Sequence, residues 1–581
     1  MTRLFNDPAT FTEDMLEGFL DANSRYVCGV PGGVVRASTT PTGKATVVVG
    51  GGSGHYPAFC GVVGRGFADG AVVGNIFTSP SAEDAASVAR AVDNGGGVLL
   101  TTGNYAGDVM NFGLAVQKLR SEGIDARYLA VTDDIASAPA DQIAKRRGIA
   151  GDFTVFRCAS AAADAGSNID DVERVGIAAN DATRTLGVAF DGCTMPGAAD
   201  PLFTVQTGTM DLGLGIHGEP GVSSHEMPSA ADLAALLVDG VLAEKPIGSS
   251  DRIAVILNGL GRTKYEELFV VWQSVARLLR AAGHTIVDPE VGELVTSLDM
   301  AGCSLTVMWL DDELEKYWTA PADTPAYRKG IVASDTGERR AAGAAAAAGV
   351  ETMPESDEQS RECARLATRS LEALAERMAT AEGELGRIDA VAGDGDHGRG
   401  MVKGTAAATL AAADAAARGG GVGSVLAAAG SAWAARAGGT SGVLWGAALT
   451  AIGNVLGNNG TPDDTTVSEA LRAGYDALTA LGGASLGDKT MLDALDPFVG
   501  AVERSVRDGK DWRSAWVEAV PVAQSAAEGT ASMRPKIGRA RPLAERSVGT
   551  PDAGAISLAM CVATVSAVTT VLATNYVILE Q

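Results

Sequence analysis

The sequence predicts a multidomain fold in which an α/β region is followed by an all-α domain. From about residue 45 to 310, short β-rich runs such as ATVVVG and GVLLTTGN alternate with helical stretches, and Gly or Asp stands at the strand ends. Beyond residue 357 strand signals nearly disappear and Ala-rich segments replace them. In one segment Leu371, Leu374 and Met378 recur at helical spacing, which gives an apolar stripe on one face. The second part is therefore expected to contain seven or eight helices.

The stretch between these two parts has few residues that a core would bury. A chain of 581 residues is too long for one hydrophobic core, so several domains are expected. Residues 331–357 combine charge, Gly and an Ala tract, a composition typical of a linker. The predicted boundaries are an α/β domain at 1–330, this linker at 331–357 and a helical domain at 358–581.

Composition narrows the class of partner. The formal net charge of -25 disfavours nucleic acid and anionic membranes, because phosphate backbones are bound by clustered Lys and Arg. It leaves a nucleotide open as a ligand, since a few backbone N–H groups and metal ions hold phosphates locally. Seven scattered Cys without CxxC spacing and an N-terminus without an apolar signal core favour reduced thiols in a cytoplasmic protein.

One apolar run near the C-terminus, AISLAMCVATVSAVTTVLATNYVI, is long enough to cross a membrane. It carries Ser, Thr and Asn and directly follows a polar motif. These features favour a buried helix, so no membrane partner is expected.

A carboxylate-rich loop stands in the helical part, in the stretch IDAVAGDGDHGRGM. Asp389, Asp394 and Asp396 lie at i, i+5 and i+7, a spacing that one helix face does not bring together but a glycine-bent loop does. Carboxylates gathered in a small volume repel one another unless cations lie between them, and Mg2+ prefers oxygen ligands of this kind. The spacing does not fit a calcium-binding EF-hand loop. The alternative interpretation is a solvated polar turn.

Two further stretches place phosphate-binding groups where helices begin. AARAGGTSGVLWG offers Gly439, Thr440 and Ser441, whose N–H groups and hydroxyls suit a phosphate. GRARPLAERSVGTPDAGA offers Arg539, Asp552 and Gly554 in another loop that opens a helix. The P-loop pattern GxxxxGK[ST] is absent from the sequence, so a nucleotide site here requires a different fold.

Three glycine-lined loops of the α/β region each present one functional group. GGGSGHYP presents His55, GNYAGDVMNF presents Asp108 and GLGIHGEPG presents His217. Glycines allow the backbone to approach a ligand closely, an imidazole acts as nucleophile or proton carrier, and a carboxylate accepts a hydroxyl proton. A purely structural role is the alternative for each His taken alone. None of these three loops carries the GxSxG elbow of acyl hydrolases, so acyl hydrolysis is not expected of them.

The motifs together resemble the ATP-dependent dihydroxyacetone kinase family. GGGSGH, NYAGDVMNF, GIHGEPG, GDGDHG, GGTSG, LGDKTMLDAL and GRARPLAERSVGTPDAGA occur in this order and span nearly the whole chain apart from the linker. The resemblance implies a ketose-binding region of two α/β subdomains, fused to an ATP-binding barrel of eight antiparallel helices. It also implies a homodimer in which one chain's ATP domain covers the partner's ketose site.

The resemblance implies a role for each motif of the ketose domain. His217 would add through a ring nitrogen to the ketose carbonyl and form a covalent hemiaminal, His55 would move protons, and Asp108 would accept the proton of the terminal hydroxyl. The residues expected to line the substrate pocket are Gly52, Ser53, Gly54, His55, Gly103 and Asp108.

The resemblance likewise implies the composition of the ATP site. Asp389, Asp394 and Asp396 would hold two Mg2+ ions against the ATP phosphates. The nucleotide is expected to contact His397, Gly439, Thr440, Ser441, Gly487, Thr490, Met491, Arg539, Asp552, Ala553 and Gly554.

Two departures from the family pattern bear on the substrate. Tyr56 follows His55 where family members usually have an acidic residue, and Gly103 stands where they usually carry Lys. The loss of that cation removes a hydrogen-bond donor and suggests more room, which favours the four-carbon ketose erythrulose over dihydroxyacetone. The alternatives are an FAD-AMP lyase side activity and a non-catalytic ketose-binding regulator.

Overall fold

The chain folds into two compact units, Met1–Ala347 (unit 1) and Ala348–Gln581 (unit 2). The computed structural model describes residues 2–332, 338–340, 353–393, 395–537 and 544–579, with side chains described as far as residue 570. The division between the units falls within the segment predicted to be a linker. The N-terminal part of that segment is attached to unit 1, because Ser38 and Arg339 form an antiparallel bridge.

Unit 1 begins with a six-stranded sheet in the order β1-β2-β4-β3-β5-β6. Its strands are β1 (Val27–Val30), β2 (Gly33–Arg36), β3 (Thr46–Ser53), β4 (Gly70–Ile76), β5 (Val98–Gly103) and β6 (Ala126–Val131). Its helices are α1 (Phe11–Ala22), α2 (Ala82–Val92), α3 (Ala106–Ser121), α4 (Asp152–Asp164) and α5 (Ile169–Asp181). Strands β4, β3, β5 and β6 run parallel, so their carboxyl ends meet at one edge, where ligands bind in such sheets.

The parallel part of this sheet is buried on both faces. Residues of β3 and β5 are fully buried, and the apolar side chains of each strand divide between two cores. Val48 and Leu100 pack with Phe112 of α3, whereas Val47 and Leu99 pack in the core that contains α4 and α5. A buried strand of this kind reads as a continuous apolar run, which is why the sequence pattern located it.

A second sheet of seven strands completes unit 1, in the order β11-β10-β13-β7-β8-β9 with β12 beside β10. Its strands are β7 (Thr183–Asp191), β8 (Thr209–Leu212), β9 (Ser223–Glu226), β10 (Arg252–Gly259), β11 (Thr285–Ile286), β12 (Glu290–Gly292) and β13 (Ala301–Trp309). The remaining elements are helices α6 (Ala230–Leu242), α7 (Tyr265–Ala281) and α8 (Asp312–Trp318), and the short pair β14 (Ala322–Asp323) and β15 (Arg328–Lys329). The predicted arrangement of two α/β parts is thereby confirmed, although most pairings in the second sheet are antiparallel.

Unit 2 is helical throughout its described residues, as predicted. The helices are α9 (Glu358–Asp389), α10 (His397–Ala417), α11 (Val422–Ala437), α12 (Gly439–Leu456), α13 (Asp464–Gly482), α14 (Leu492–Arg507), α15 (Trp512–Gly529), α16 (Ala544–Ser547) and α17 (Ala553–Leu579). Each long helix packs against the next one along the chain, and α17 packs against both α15 and α9. The eight long helices of the described part thus close into a ring. The predicted stripe of Leu371, Leu374 and Met378 is buried in its core.

Helix α17 includes the apolar run noted in the sequence. Within the described residues it is the one helix long and apolar enough to span a membrane, over Ala553–Thr570, and 44% of that window is buried in the protein. The indole N–H of Trp516 in α15 donates to the Val562 carbonyl at 2.9 Å. This part of α17 therefore packs as a wall of the helical ring.

Candidate active sites

The first candidate site lies at the carboxyl-end edge of the parallel strands, where β3 runs into the His55 loop. A Cβ at Gly52 would approach the backbone N of Thr78 to 2.5 Å, so glycine is required for this close approach. His55 is 2% exposed, stacks on Phe77 with ring centroids 5.0 Å apart, and its Nδ1 lies 2.7 Å from the Thr296 carbonyl oxygen. Burial, followed by the neighbouring His217, lowers the pKa of His55 to about 3.

His217 reaches this edge from the loop that follows β8. Its Nε2 lies 3.0 Å from Nε2 of His55, and its Nδ1 lies 3.2 Å from Oε1 of Glu219. The loop is held in place by the Ser297 hydroxyl, which donates to the Ile216 carbonyl at 2.5 Å. Because 15% of the His217 side chain remains exposed, a small ligand has access to this ring. The two histidines that the sequence singled out, 162 residues apart, thus form one pair.

The partners of the two rings fix where their protons lie. Both acceptors carry no hydrogen, so Nδ1–H of His217 donates a hydrogen bond to the Glu219 carboxylate and Nδ1–H of His55 donates one to the Thr296 carbonyl. The two Nε2 atoms then face each other and need one shared proton to form their 3.0 Å hydrogen bond. Such a proton would place one positive charge on the pair, and the Glu219 carboxylate lies where it can act as the counter-charge.

Glu219 is in turn supported by a buried arginine. The Arg147 guanidinium lies 3.7 Å from Oε2 of Glu219 and 2.8 Å from Oδ2 of Asp134. Although burial raises it, the charges of His217 and Arg147 hold the pKa of Glu219 well below its usual range. The backbone N–H of His217 also donates to this carboxylate at 3.0 Å. The sequence analysis missed Glu219 and Arg147, although Glu219 stands inside the quoted motif GLGIHGEPG, two residues after the histidine.

The other predicted residues of the ketose domain lie at the same edge. Asp108 is 8% exposed and stands in the first turn of α3, directly after β5. The Ser53 hydroxyl lies 3.3 Å from the Thr12 hydroxyl of α1. Tyr56, which follows His55, is about half exposed, and its ring contacts the edge of Phe19 of α1.

Gly103 ends β5, and the structure corrects the expectation of open space beside it. A Cβ at this position would lie 3.0 Å from the Tyr105 ring and 3.2 Å from the Gly148 carbonyl oxygen. The volume that a side chain would take is therefore occupied by Tyr105. That ring also packs edge-on against His217, with centroids 4.7 Å apart.

The second candidate site lies in unit 2, where α9 ends and α10 begins. Oδ2 of Asp389 is buried and has no hydrogen-bond partner among the described residues. Desolvation by the surrounding protein, and then the charge of Asp389, raise the pKa of Asp396 to about 6, although part of its side chain stays exposed. Burial, together with Asp389, likewise raises the pKa of Asp552 to about 6. Arg399 lowers the pKa of Asp396 and Lys489 lowers that of Asp552, but in both cases desolvation and the charge of Asp389 outweigh the nearby cation.

Such a donor set fits a hard divalent cation, which prefers carboxylate oxygens. Within the described ranges no group of three or more His, Cys, Asp or Glu side chains is close enough to hold a metal ion by itself. The third predicted ligand, Asp394, lies outside the described residues, as does Arg539. The buried Oδ2 of Asp389, which has no hydrogen-bond partner among the described residues, is therefore the observation that fits a cation here.

The predicted nucleotide-binding residues lie at the beginnings of helices. Gly439, Thr440 and Ser441 form the first turn of α12, whose N–H groups have no partners within the helix and suit an anion. His397 begins α10, and its Nε2 lies 2.9 Å from the Ser557 hydroxyl of α17. The structure thus ties His397 to a neighbouring helix.

The loop before α14 joins the turn before α17. The N–H groups of Gly487 and Thr490 donate to Asp493 at 2.6 and 2.8 Å, which fixes the loop that carries Met491. A Cβ at Gly554 would lie 3.5 Å from the Met491 Cβ, and the Ala555 N–H donates to Asp552 at 2.8 Å. A cleft in this region is lined by Asp389, Gly393, Lys489, Thr550, Asp552 and Ala553.

Two residues of this region, Lys489 and Asp493, were not predicted from the sequence. Lys489 is 4% exposed, and its ammonium donates to the Ser547 carbonyl at 2.6 Å and to the Met533 carbonyl at 3.2 Å. Asp493 accepts the hydrogen bonds from the N–H groups of Gly487 and Thr490. The spacing of Thr490 and Asp493 before an apolar run is a helix-start signal that was available in the sequence.

Comparison with known proteins assigns a domain family to each of the two units. Residues 17–326 match the Dak1 domain and residues 391–567 match the DAK2 domain. The chain is 70% identical over 569 residues to the D-erythrulose kinase of Mycolicibacterium smegmatis, covering 97% of this chain and 98% of that protein. It is 53% identical over 572 residues to the L-erythrulose kinase of Pectobacterium atrosepticum, covering 98% of this chain and 96% of that protein. The fold and the relatives define a ketose kinase.

Solved structures agree. The native dihydroxyacetone kinase of C. freundii shares 31% identity with a TM-score of 0.52, covering 97% of this chain and 99% of that chain. The same enzyme in complex with AMP-PNP and Mg2+ shares 30% identity with a TM-score of 0.52 over the same fractions. The chain belongs to the dihydroxyacetone kinase family, as a fusion of the Dak1 and DAK2 domains.

Proposed function

We propose that this ketose kinase transfers the γ-phosphoryl group of ATP to a terminal hydroxyl of erythrulose, with D-erythrulose as the preferred form. The 3.0 Å pairing of the His55 and His217 Nε2 atoms carries the proposal, because it presents a nucleophilic ring nitrogen in a pocket for a small carbonyl compound. The choice of ketose rests on the 70% identity to a D-erythrulose kinase, against 53% to an L-erythrulose kinase. Dihydroxyacetone is the alternative substrate.

The first step is capture of the ketose by His217. The Nε2 lone pair of His217 attacks the carbonyl carbon, and the shared proton, now on Nε2 of His55, passes to the carbonyl oxygen. One C–N bond forms, the C=O double bond becomes C–OH, and the positive charge moves from the histidine pair to the alkylated His217 ring. Glu219 lies 3.2 Å from Nδ1 of that ring and stabilises the charge before and after the step. A polyol has no electrophilic carbon and is not captured.

The hemiaminal holds the sugar so that its terminal hydroxyl meets a base. We assign that role to Asp108, because it is buried at the same edge of the sheet as the histidine pair. It accepts the hydroxyl proton as the oxygen attacks the phosphorus. Phosphoryl transfer depends mainly on such positioning and on charge stabilisation.

In unit 2, Asp389, Asp394 and Asp396 would hold Mg2+, with two ions expected. Bound Mg2+ neutralises charge on the phosphate oxygens of ATP. Gly439, Thr440 and Ser441 would bind phosphate through the N-terminus of α12, and the Met491 loop and the Asp552 turn would bind the rest of the nucleotide. The homodimer implied by the family resemblance and the cytoplasmic location stay predictions.

Steady-state kinetics with Mg-ATP test the proposal, using dihydroxyacetone and both enantiomers of erythrulose as acceptors. We expect the highest kcat/KM for D-erythrulose, and we expect the mass of the intact protein to rise by one ketose through a bond at His217. A large preference for dihydroxyacetone would contradict the choice of substrate. The absence of a ketose adduct at His217 would contradict the mechanism.

A further inference from the structure

Two buried polar atoms near the histidine pair have no hydrogen-bond partner among the described residues: Oδ1 of Asp152 and the hydroxyl oxygen of Tyr105. Asp152 is 3% exposed and is the first residue of α4. Buried polar groups in folded proteins are almost always paired, so an unpaired one needs a specific reason. A bound ligand that carries hydroxyl groups is such a reason.

The positions of these atoms connect them to the ketose site. The Tyr105 ring contacts His217 on one side, with centroids 4.7 Å apart, and borders Gly103 on the other. A Cβ at Gly148 would lie 2.5 Å from both Oδ1 of Asp152 and Cα of Gly103, so these two atoms lie within about 5 Å of each other. Asp152, Gly103, Tyr105 and His217 therefore follow one another along one side of the site.

The charge state of Asp152 suits a hydroxyl ligand. Burial, followed by the charges of Asp133 and Asp108, raises the pKa of Asp152 well above its usual value. The shift favours the protonated carboxylic acid, which has one O–H donor and an acceptor oxygen. Such a group pairs with an alcohol, which itself both donates and accepts.

We propose that Asp152 is a specificity-determining residue that hydrogen-bonds the hydroxyl which a four-carbon ketose carries and dihydroxyacetone lacks. We assign the unpaired Tyr105 hydroxyl as a second hydrogen-bond partner for the same end of the sugar. This inference rests on the proposed function and deepens it, because it names the group that separates a tetrulose from a triose. A site built to bind a substrate hydroxyl discriminates strongly against an analogue without it, since its polar groups are then left unpaired.

The test compares kcat/KM for D-erythrulose and for dihydroxyacetone in wild type, Asp152→Ala and Asp152→Asn. Alanine removes the hydrogen-bonding group, whereas asparagine keeps a neutral donor and acceptor of the same shape. We expect Asp152→Ala to lower the erythrulose-to-dihydroxyacetone ratio by about tenfold, as for the loss of one hydrogen bond to a buried group. We expect Asp152→Asn to keep the ratio within about threefold of wild type.

Matched controls address folding and location. Asp152→Ser is a second truncation compatible with the start of a helix, and it should show the same loss of ratio as alanine. Asp170→Ala removes an exposed acid from the first turn of the neighbouring α5 and should leave both substrates unaffected. Formation of the dihydroxyacetone adduct, read by intact mass, reports that each variant is folded.

An equal loss on both substrates in Asp152→Ala and Asp152→Ser would overturn the inference, because Asp152 would then support Asp108 or the fold alone. An unchanged ratio in both truncations would overturn it too, since water would then account for the unpaired oxygen. Failure of the proposed function is distinguishable, because it would appear in wild type itself, either as phosphorylation of neither ketose or as a large preference for dihydroxyacetone.

Discussion

The two sites differ in how far each balances its own charges. In unit 1 the Glu219 carboxylate lies beside the histidine pair, and the Arg147 guanidinium lies between the carboxylates of Glu219 and Asp134. In unit 2 the charge of Asp389 contributes to the raised pKa values of Asp396 and Asp552. Oδ2 of Asp389 has no hydrogen-bond partner among the described residues. In the proposed function the first site therefore suits a neutral ligand, whereas the second suits a ligand that brings positive charge.

In the proposed function this difference in charge follows from the charges of the two substrates. A ketose is neutral, so its site must provide a nucleophile and a proton that are already oriented before the substrate arrives. A triphosphate is strongly anionic, so carboxylates are useful beside it only when a cation lies between them. Substitutions in the two units should therefore separate ketose capture from nucleotide use.

The largest effect is expected from His217→Ala. Loss of the nucleophile should abolish the ketose adduct and reduce kcat/KM by at least about 1000-fold, while binding of Mg-ATP persists. Intact-mass analysis, kinetics and a nucleotide-binding titration measure the three outcomes. His225→Ala is the control, because His225 lies in the exposed strand β9. An adduct that survives in His217→Ala would assign the capture to another residue.

The next effect is the reciprocal one, from Asp389→Asn. Removing this charge should reduce turnover with Mg-ATP by about 100-fold and leave the ketose adduct at His217 unchanged. It should also raise the thermal midpoint in the absence of Mg2+, because it removes the charge that raises the pKa values of Asp396 and Asp552. Asp414→Asn, an exposed acid near the end of α10, is the control. Unchanged use of Mg-ATP would refute the cation site.

The sequence located most of the secondary structure because its signals are local. Buried apolar runs marked the parallel strands β3 and β5, and the spacing of Leu371, Leu374 and Met378 marked α9. The antiparallel order of the second sheet was not predicted, because the direction of a pairing depends on which distant strands meet. Strands β10 and β13, for example, pair across the residues of α7 and two short strands.

The residues of the candidate ketose site likewise divide into those with a local sequence signal and those without one. His55, Asp108 and His217 were found because each stands among glycines, which is a local signal. Arg147 was missed, since its partners Asp134 and Glu219 come from separate loops and only the fold brings them together. Asp152 was missed because its significance lies in burial beside Gly103, and no local pattern encodes that environment.

A smaller effect is expected from Glu219→Gln, which tests the counter-charge of the histidine pair directly. Glutamine keeps the shape, and its one carbonyl oxygen can still accept a hydrogen bond from Nδ1–H of His217. It removes the counter-charge of the ring that would carry the hemiaminal, and its NH2 group replaces the oxygen that accepts from the His217 backbone N–H. We expect about a tenfold loss of kcat/KM, corresponding to about 1.4 kcal/mol, together with a lower equilibrium yield of adduct. Nucleotide binding should stay unchanged.

Glu226→Gln in the exposed strand β9 is the matched control and should behave as wild type. If the Glu219 carboxylate stabilises the charge of the adduct at His217, the loss in Glu219→Gln must appear in the adduct yield as well as in turnover. A variant that turns over tenfold more slowly with an unchanged adduct yield would show that Glu219 acts only on the phosphoryl-transfer step. The contrast between a self-balanced ketose site and a cation-dependent nucleotide site would then fail at this residue.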